Sequence, residues 1–337
     1  MIHHTSAPGR GDKGACMTTT VKPFARNHLV RDAMSQAIFE CMAADPSIYL
    51  YGEGAWVKQY YDAPRIYKDF PQRIVTMPIC EDGNLNFACG AALLGCTPIV
   101  NVIGGDFLYR AMDSIVNTAA KLNFTGGDHT LVIQAEFLLG GPTTGQRNEA
   151  LFTHVPGLQV VLPSTPHDAY GLMRTVLTEP GVTLFLEDRM VQDDGPWLAD
   201  DLELSRLLMV GDSRCRDEVH LGSVTILTYG VMRQVVERAL AQCPIRCNVV
   251  DLRSLYPLDW LSIIEMARWT GKVLIVEPDI VYGGIGAEIA ATLHERIPHI
   301  EVKRLGAPRL TAPASQALHH KLLPTEDDVV VAIRSLS

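Results

Sequence analysis

Residues Ile74-Val75-Thr76-Met77-Pro78-Ile79-Cys80 are followed by Glu81-Asp82-Gly83, by a small-residue apolar run from Asn86 to Leu94, and by Pro98-Ile99-Val100-Asn101-Val102-Ile103. The first segment has the length and composition of a strand. The middle run, with Phe87, Ala88, Gly90, Ala91, Ala92, Leu93 and Leu94, reads as a buried helix that packs closely, and the last segment reads as a second strand. Glu81 therefore sits at a strand-to-helix turn with apolar sequence on both sides. Two readings of its carboxylate are open: an acid favoured by the positive end of a helix dipole, or a desolvated carboxyl that shares a proton with a ligand nitrogen.

The same alternation continues outward. Apolar residues recur at helical spacing over 27–42, and a short strand over 47–51 ends at Gly52-Glu53-Gly54. In parallel α/β sheets ligands gather at the carboxyl ends of strands. Glu53 is thus either a solvated turn acid or a second carboxylate facing the same cleft as Glu81. Residues 57–72 are polar and aromatic without a clean period, and read as a long loop with a short helix. After the strand ending at Ile103, Gly104-Gly105-Asp106-Phe107 breaks the pattern, and 109–122 resumes as one helix. Phe107 is a core aromatic or a ligand platform. A strand over 130–135, a loop at Gly140-Gly-Pro-Thr-Thr-Gly145, a strand following His154, a helix over 168–177 and a final strand over 182–187 complete the first half. Loops of this kind on a rigid sheet frequently border the chemistry.

Residues 193–223 alternate in charge and read as a connector. Strands over 224–229, 247–251, 272–277 and 300–305 then alternate with helices over 231–242, 261–269, 286–297 and 325–336. The fold class is α/β, with two open, mostly parallel-sheet domains at 27–192 and 223–337, a linker at 193–222 and a disordered N-terminal extension at 1–26.

The 337-residue chain is 47% hydrophobic and 20% charged, the range of a globular protein, and is long enough for two full cores. Its net charge of −9 argues against nucleic acid as the main partner. Eight scattered cysteines read as reduced thiols of a cytoplasmic protein, with no metal site on this chain. No membrane span or signal peptide stands out. Gly283-Gly-Ile-Gly286 lacks dinucleotide spacing and reads as a tight turn into a helix. Nucleotide P-loop, nucleophile-elbow and zinc-protease motifs are absent from the sequence.

In their shared order, Gly-Glu53 after a strand, Arg73-Ile-Val-Thr-Met-Pro-Ile-Cys-Glu81, the Ala/Gly helix, Asp113-x-x-x-Asn117-x-Ala-Ala-Lys121, His154-Val-Pro-Gly-Leu-Gln-Val-Val-Leu-Pro163 and Asp251-Leu-Arg-Ser-Leu-Tyr-Pro-Leu-Asp259 carry a resemblance. From about Asn27 onward the chain resembles the β subunit of thiamine-diphosphate-dependent 2-oxoacid dehydrogenase E1 components, in the transketolase superfamily. The resemblance implies a pyrimidine-binding domain followed by a transketolase C-terminal domain. It implies that Glu81 contacts N1′ of the cofactor's aminopyrimidine, that Phe107 packs on that ring with Ile79 and Ile103 as apolar neighbours, and that Glu53 lies near the thiazolium. A proton shared between Glu81 and N1′ favours the imino tautomer, which helps deprotonate the thiazolium. The carbanion so produced takes up a fragment of a 2-oxoacid or a ketose as a C2 enamine and passes it to an acceptor.

The family divides its cofactor. A Gly-Asp-Gly…Asn motif on an α subunit holds the diphosphate and Mg2+; here Gly211-Asp212-Ser213 lacks the last glycine, so an α partner and an α2β2 assembly are implied. One departure concerns a family histidine in a His-Ser-Gln run, whose place is taken by Thr144-Gly145-Gln146 in a shortened loop. Thr144, Gln146 and His154 are the candidate substrate-side residues, His154 also having a structural reading. A replacement imidazole would come from His129 or from the partner. The rival readings are the C-terminal half of a split transketolase and a non-catalytic binding or regulatory subunit that keeps the fold.

Overall fold

The structure is a computed structural model that describes residues 30–53, 63–191, 214–215 and 222–337. The expected N-terminal extension, the start of the 57–72 loop and nearly all of the 193–222 connector, including Gly211-Asp212-Ser213, lie outside the described residues. Strands run as β1 (Ile48–Glu53), β2 (Ile74–Met77), β3 (Thr97–Gly104), β4 (Thr130–Phe137), β5 (Gln159–Val161), β6 (Gly181–Asp188), β7 (Arg214–Cys215), β8 (Val224–Thr228), β9 (Cys247–Asp251), β10 (Ser254–Tyr256), β11 (Lys272–Ile280) and β12 (Glu301–Ala307). They form a seven-stranded sheet, β10-β5-β6-β4-β3-β1-β2, and a five-stranded sheet, β12-β11-β8-β9-β7. All described pairs are parallel except β10–β5 and β7–β9. This is the expected mixed α/β architecture.

β4 is buried along its whole length, as a strand covered on both faces must be. Its period of two divides the core. Leu131, Ile133 and Ala135 join Leu85, Ala88, Ala92 and Ile115 on one side, while Val132 joins Met34, Ile38, Leu172 and Met173 on the other. The Val30–Ala44 and Pro166–Thr178 helices make the second layer, and Thr165 caps the latter by accepting from Asp168 N. The first of these cores continues through Leu184, Leu186, Leu227, Val250 and Ile275, so the two sheets share one apolar interior.

One expectation needs correcting. The helix expected over 109–122 is instead a chain of short pieces: tight 3-10 turns at Gly105–Ala111, a wide π turn at Ser114–Thr118 and 3-10 turns again at Ala119–Thr125. At the wide turn the Ser114 hydroxyl donates to Asp82 and accepts from Asn86 Nδ2 (2.6 Å), so bonds to the neighbouring helix compete with a regular ladder. The strand over 181–188, last of the first half in chain order as expected, lies inside its sheet, because β5 and then β10 pair beyond it. β10 belongs by sequence to the second half, yet Ser254 pairs with Val161 and Tyr256 with Val160.

Buried polar bonds also tie the halves. Arg253 Nη1 donates to Asp168 Oδ1 (3.2 Å) and Ser164 Oγ to Asp251 Oδ1 (2.7 Å). Asp188 Oδ2 accepts from Arg147 Nη2 (2.5 Å) and from Val231 N (3.2 Å). Among the described residues no helix is long and apolar enough to cross a membrane.

The Gly283–Gly286 turn does lead into a helix, Ile285–Arg296, and its Gly286 amide donates to Glu277 Oε2 (3.0 Å). Burial pushes the Glu277 carboxyl up to about 7 despite that amide. A carboxyl raised in the folded state keeps its proton after the unfolded chain has released its own. It therefore lowers stability progressively as pH rises from the unfolded value through about 7, and leaves it untouched in acid. Glu277→Gln should accordingly stabilise the protein by about 1–3 kcal/mol more at about pH 8.5 than at about pH 5. Urea denaturation at the two pH values measures this; an effect independent of pH would contradict it.

Candidate active site

The geometry of the site starts at the end of β1. Glu53, 3% exposed, receives Cys80 N and Asn84 Nδ2 on Oε1, both at 3.3 Å, and Asn84 Nδ2 also donates to Pro78 O (2.9 Å). Pro78 cannot continue the sheet ladder, so the chain leaves β2 at Met77, and these bonds fix the turn from which the Glu81–Leu93 helix begins. Burial raises the Glu53 carboxyl above its ordinary value and the nearby Glu81 charge adds to this, while the Cys80 amide and Asn84 oppose it.

Glu81 occupies the first turn of the helix at 6% exposure. Its Oε2 lies 3.5 Å from Nε of the largely exposed Arg110. Beside it opens a cleft of about 350 Å³ lined by Ile79, Cys80, Glu81, Asp82, Phe107 and Arg110. Phe107 is half-buried with its other side packed on the core, and Ile79 is 77% exposed. An apolar rim, an aromatic ring and one buried carboxylate make a site for a flat heterocycle carrying a ring nitrogen.

Of the residues expected on the cofactor side, Ile79, Glu81 and Phe107 line this cleft together. Glu53 stands behind them as the anchor of the helix start. Ile103 is half-buried in β3 and is not a lining residue. Thr144 Oγ1 donates to Gly140 O, and Gln146 N donates to Asp106 Oδ1 (3.1 Å), beside Phe107 in sequence. His154 is exposed at the end of the Glu149–Thr153 helix and does not line the cleft. His129 is excluded as the replacement imidazole. Its Nδ1 is 3.1 Å from Ala92 O, at the far end of the Glu81–Leu93 helix, roughly 16 Å along the axis from Glu81.

Sequence reasoning missed Asp106, Arg110 and His319. Asp106 is 8% exposed and accepts from Gly145 N (2.9 Å) as well as Gln146 N, and His319 Nε2 is 2.7 Å from Gly145 O. A signal for Asp106 existed, an acid among glycines and Phe107 at a strand end. For His319 none did, since it comes from a distant part of the chain. Among the described residues no group of three or more His, Cys, Asp or Glu side chains is arranged to hold a metal ion.

Comparison with known proteins covers both halves of the chain. The transketolase pyrimidine-binding domain matches residues 28–192 and the transketolase C-terminal domain matches residues 218–329. The mitochondrial pyruvate dehydrogenase E1 component subunit beta-2 of Oryza sativa subsp. japonica is 31% identical over 331 residues, 92% of this chain and 86% of that protein. The 2-oxoisovalerate dehydrogenase subunit beta of Bacillus subtilis (strain 168) is 32% identical over 329 residues, 91% of this chain and 97% of that protein. A solved structure described as a split gene transketolase, inactive beta4 tetramer, has a TM-score of 0.74 at 25% identity, covering 92% of this chain and 98% of that one. Both domains in this order, with relatives above 30% identity over nearly the whole chain, show that the protein belongs to the β-subunit family of 2-oxoacid dehydrogenase E1 components, within the transketolase superfamily.

Proposed function

We propose that this chain is the β subunit of a heteromeric thiamine-diphosphate-dependent enzyme acting on a 2-oxoacid. The observation that carries this reading is the juxtaposition of the buried Glu81 carboxylate with Phe107 and Ile79 around one cleft. Those residues fit the pyrimidine end of the cofactor. When bound, thiamine diphosphate supplies an acidic thiazolium carbon that, once deprotonated, attacks a substrate carbonyl.

This chain's residues bind and orient the ring and move one proton. Phe107 and Ile79 give it an apolar seat and exclude water. Glu81, held in place by the helix that Glu53 anchors, exchanges a proton with the ring nitrogen from its carboxyl oxygen. Among the described residues Arg110 is the one cation lining the cleft, and it faces Glu81, so the diphosphate and its Mg2+ are assigned to an α partner. The assembly proposed is a cytoplasmic α2β2 heterotetramer. Cys41, Cys80, Cys89, Cys96, Cys243 and Cys247 are free thiols, which fits a reducing compartment.

Glu81→Gln should lower kcat of the complex reconstituted with its α partner by about 10²- to 10⁴-fold, with the circular dichroism spectrum unchanged. Full activity in that variant would favour the non-catalytic reading instead. The likeness to a split gene transketolase keeps one enzymatic rival. Turnover of a ketose phosphate without decarboxylation of any 2-oxoacid would select it.

Arg110→Gln tests the neighbouring ion pair. An exposed guanidinium 3.5 Å from Glu81 Oε2 competes with a ring nitrogen for that carboxylate and has to yield when the ring binds. The pair is water-screened, so its removal should tighten thiamine diphosphate binding to the complex by only about two- to fivefold. Equilibrium titration of the cofactor measures this, and weaker binding would show that Arg110 helps to hold the cofactor.

A further inference from the structure

The loop between β4 and the Glu149–Thr153 helix is held from two sides. On the cleft side, Asp106 accepts from the backbone amides of Gly145 and Gln146, and Asn148 Nδ2 donates to Gly105 O (2.7 Å). On the opposite side stands a segment from the end of the chain. Gly141 N donates to Ala314 O (2.9 Å), Gln316 Nε2 donates to Leu139 O (3.3 Å), and His319 Nε2 donates to Gly145 O (2.7 Å) across 174 residues of sequence. The loop backbone is shaped to admit this segment. Gly140 and Gly145 have φ of +71° and +97°; a Cβ on Gly140 would lie 2.5 Å from Ala314 O, and one on Gly145 would lie 3.2 Å from the His319 ring.

His319 is 4% exposed, and its Nδ1 is buried without a hydrogen-bond partner. Because a carbonyl oxygen only accepts, a ring hydrogen sits on Nε2, and Nδ1 is left unmatched in the interior. A side chain kept only for packing would be apolar here, since an unmatched buried polar nitrogen is costly. What the imidazole gains is the single bond to Gly145. That residue's own amide is bonded to Asp106, whose neighbour Phe107 lines the cleft.

We propose that His319 is a positioning residue for the substrate side of the cleft. Together with Asp106 it clamps Gly145 from both faces, so that the Gly140–Gln146 loop takes its place beside Phe107 only while the Ala314–His319 segment is docked. The inference rests on the reading of the cleft as the thiamine diphosphate site, and it supplies an imidazole to a turn, Thr144-Gly145-Gln146, that has none of its own. The imidazole acts through Gly145 and touches no reacting atom.

The test compares His319→Ala with His319→Gln, whose amide nitrogen reaches as far as Nε2, in the complex with the α partner and a 2-oxoacid. In His319→Ala, KM for the 2-oxoacid should rise about tenfold, with kcat and cofactor affinity within about twofold of the parent, and His319→Gln should recover most of the loss. Independently of substrate, hydrogen exchange over residues 139–147 should quicken about tenfold in His319→Ala while β3 and β8 keep their protection. Unchanged exchange in that loop, or equal KM values for the Ala and Gln variants, would overturn the proposal. If His319→Ala does not fold, His319→Leu keeps the volume and lacks the bond, and the same readings apply. Faster loop exchange in a complex with no thiamine-dependent turnover would uphold the clamp and overturn the functional reading alone.

Discussion

A single buried carboxylate holds the site together. Glu53 ends β1, and its Oε1 receives both the Cys80 amide and the Asn84 side chain, so the strand end and the helix start are fixed to one atom. A helix N-terminus has amides that no earlier turn can satisfy, and here neither a serine nor a threonine caps it; Cys80 stands at that position without a side-chain cap. The carboxylate of a neighbouring strand does that work from outside. Its consequence is geometric: Glu81, one residue beyond the bonded amide, leaves the helix in one direction only, into the cleft with Phe107.

The second constraint is that the two halves are one physical object. One apolar core runs through both, β10 crosses to complete the first sheet, and the ion pair of Arg253 with Asp168 is buried at the crossing. Breaking a buried pair of that kind by removing one partner typically costs about 3–5 kcal/mol, because the other charge is left without compensation. Asp188 does the same on the other flank, holding Arg147 from the first half and the amide of Val231 from the second. A C-terminal half so firmly attached can carry the segment that grips the loop at the cleft.

Much of this was legible in the sequence because the signals were local and periodic. Most strands of both sheets and the helices at 231–242 and 326–336 follow from alternation and burial length. Motif order brings Glu81, Phe107 and Ile79 forward, and the three share one cleft. What escaped was of two kinds. The 105–125 run has helical spacing, but side-chain bonds among Asp82, Asn86 and Ser114 reshape its turns, and spacing carries no sign of them. The three residues of β10, and His319 against Gly145, are contacts between distant parts of the chain whose local sequence has no periodic pattern.

The site is chemically lopsided, and that asymmetry argues for a partner more firmly than its apolar rim does. A cofactor with a diphosphate needs backbone amides, cations or a metal to meet its negative charge. This chain carries a net charge of −9, and two carboxylates, Glu81 and Asp82, line the described cleft against one guanidinium. That guanidinium faces Glu81. A ring nitrogen that shares a proton suits such a place and a diphosphate does not, so the residues that serve one end of the cofactor disfavour the other. The proposed division of the cofactor between two chains would resolve the conflict, because the acid that activates the ring and the charges that hold the phosphates would then not need to occupy the same wall.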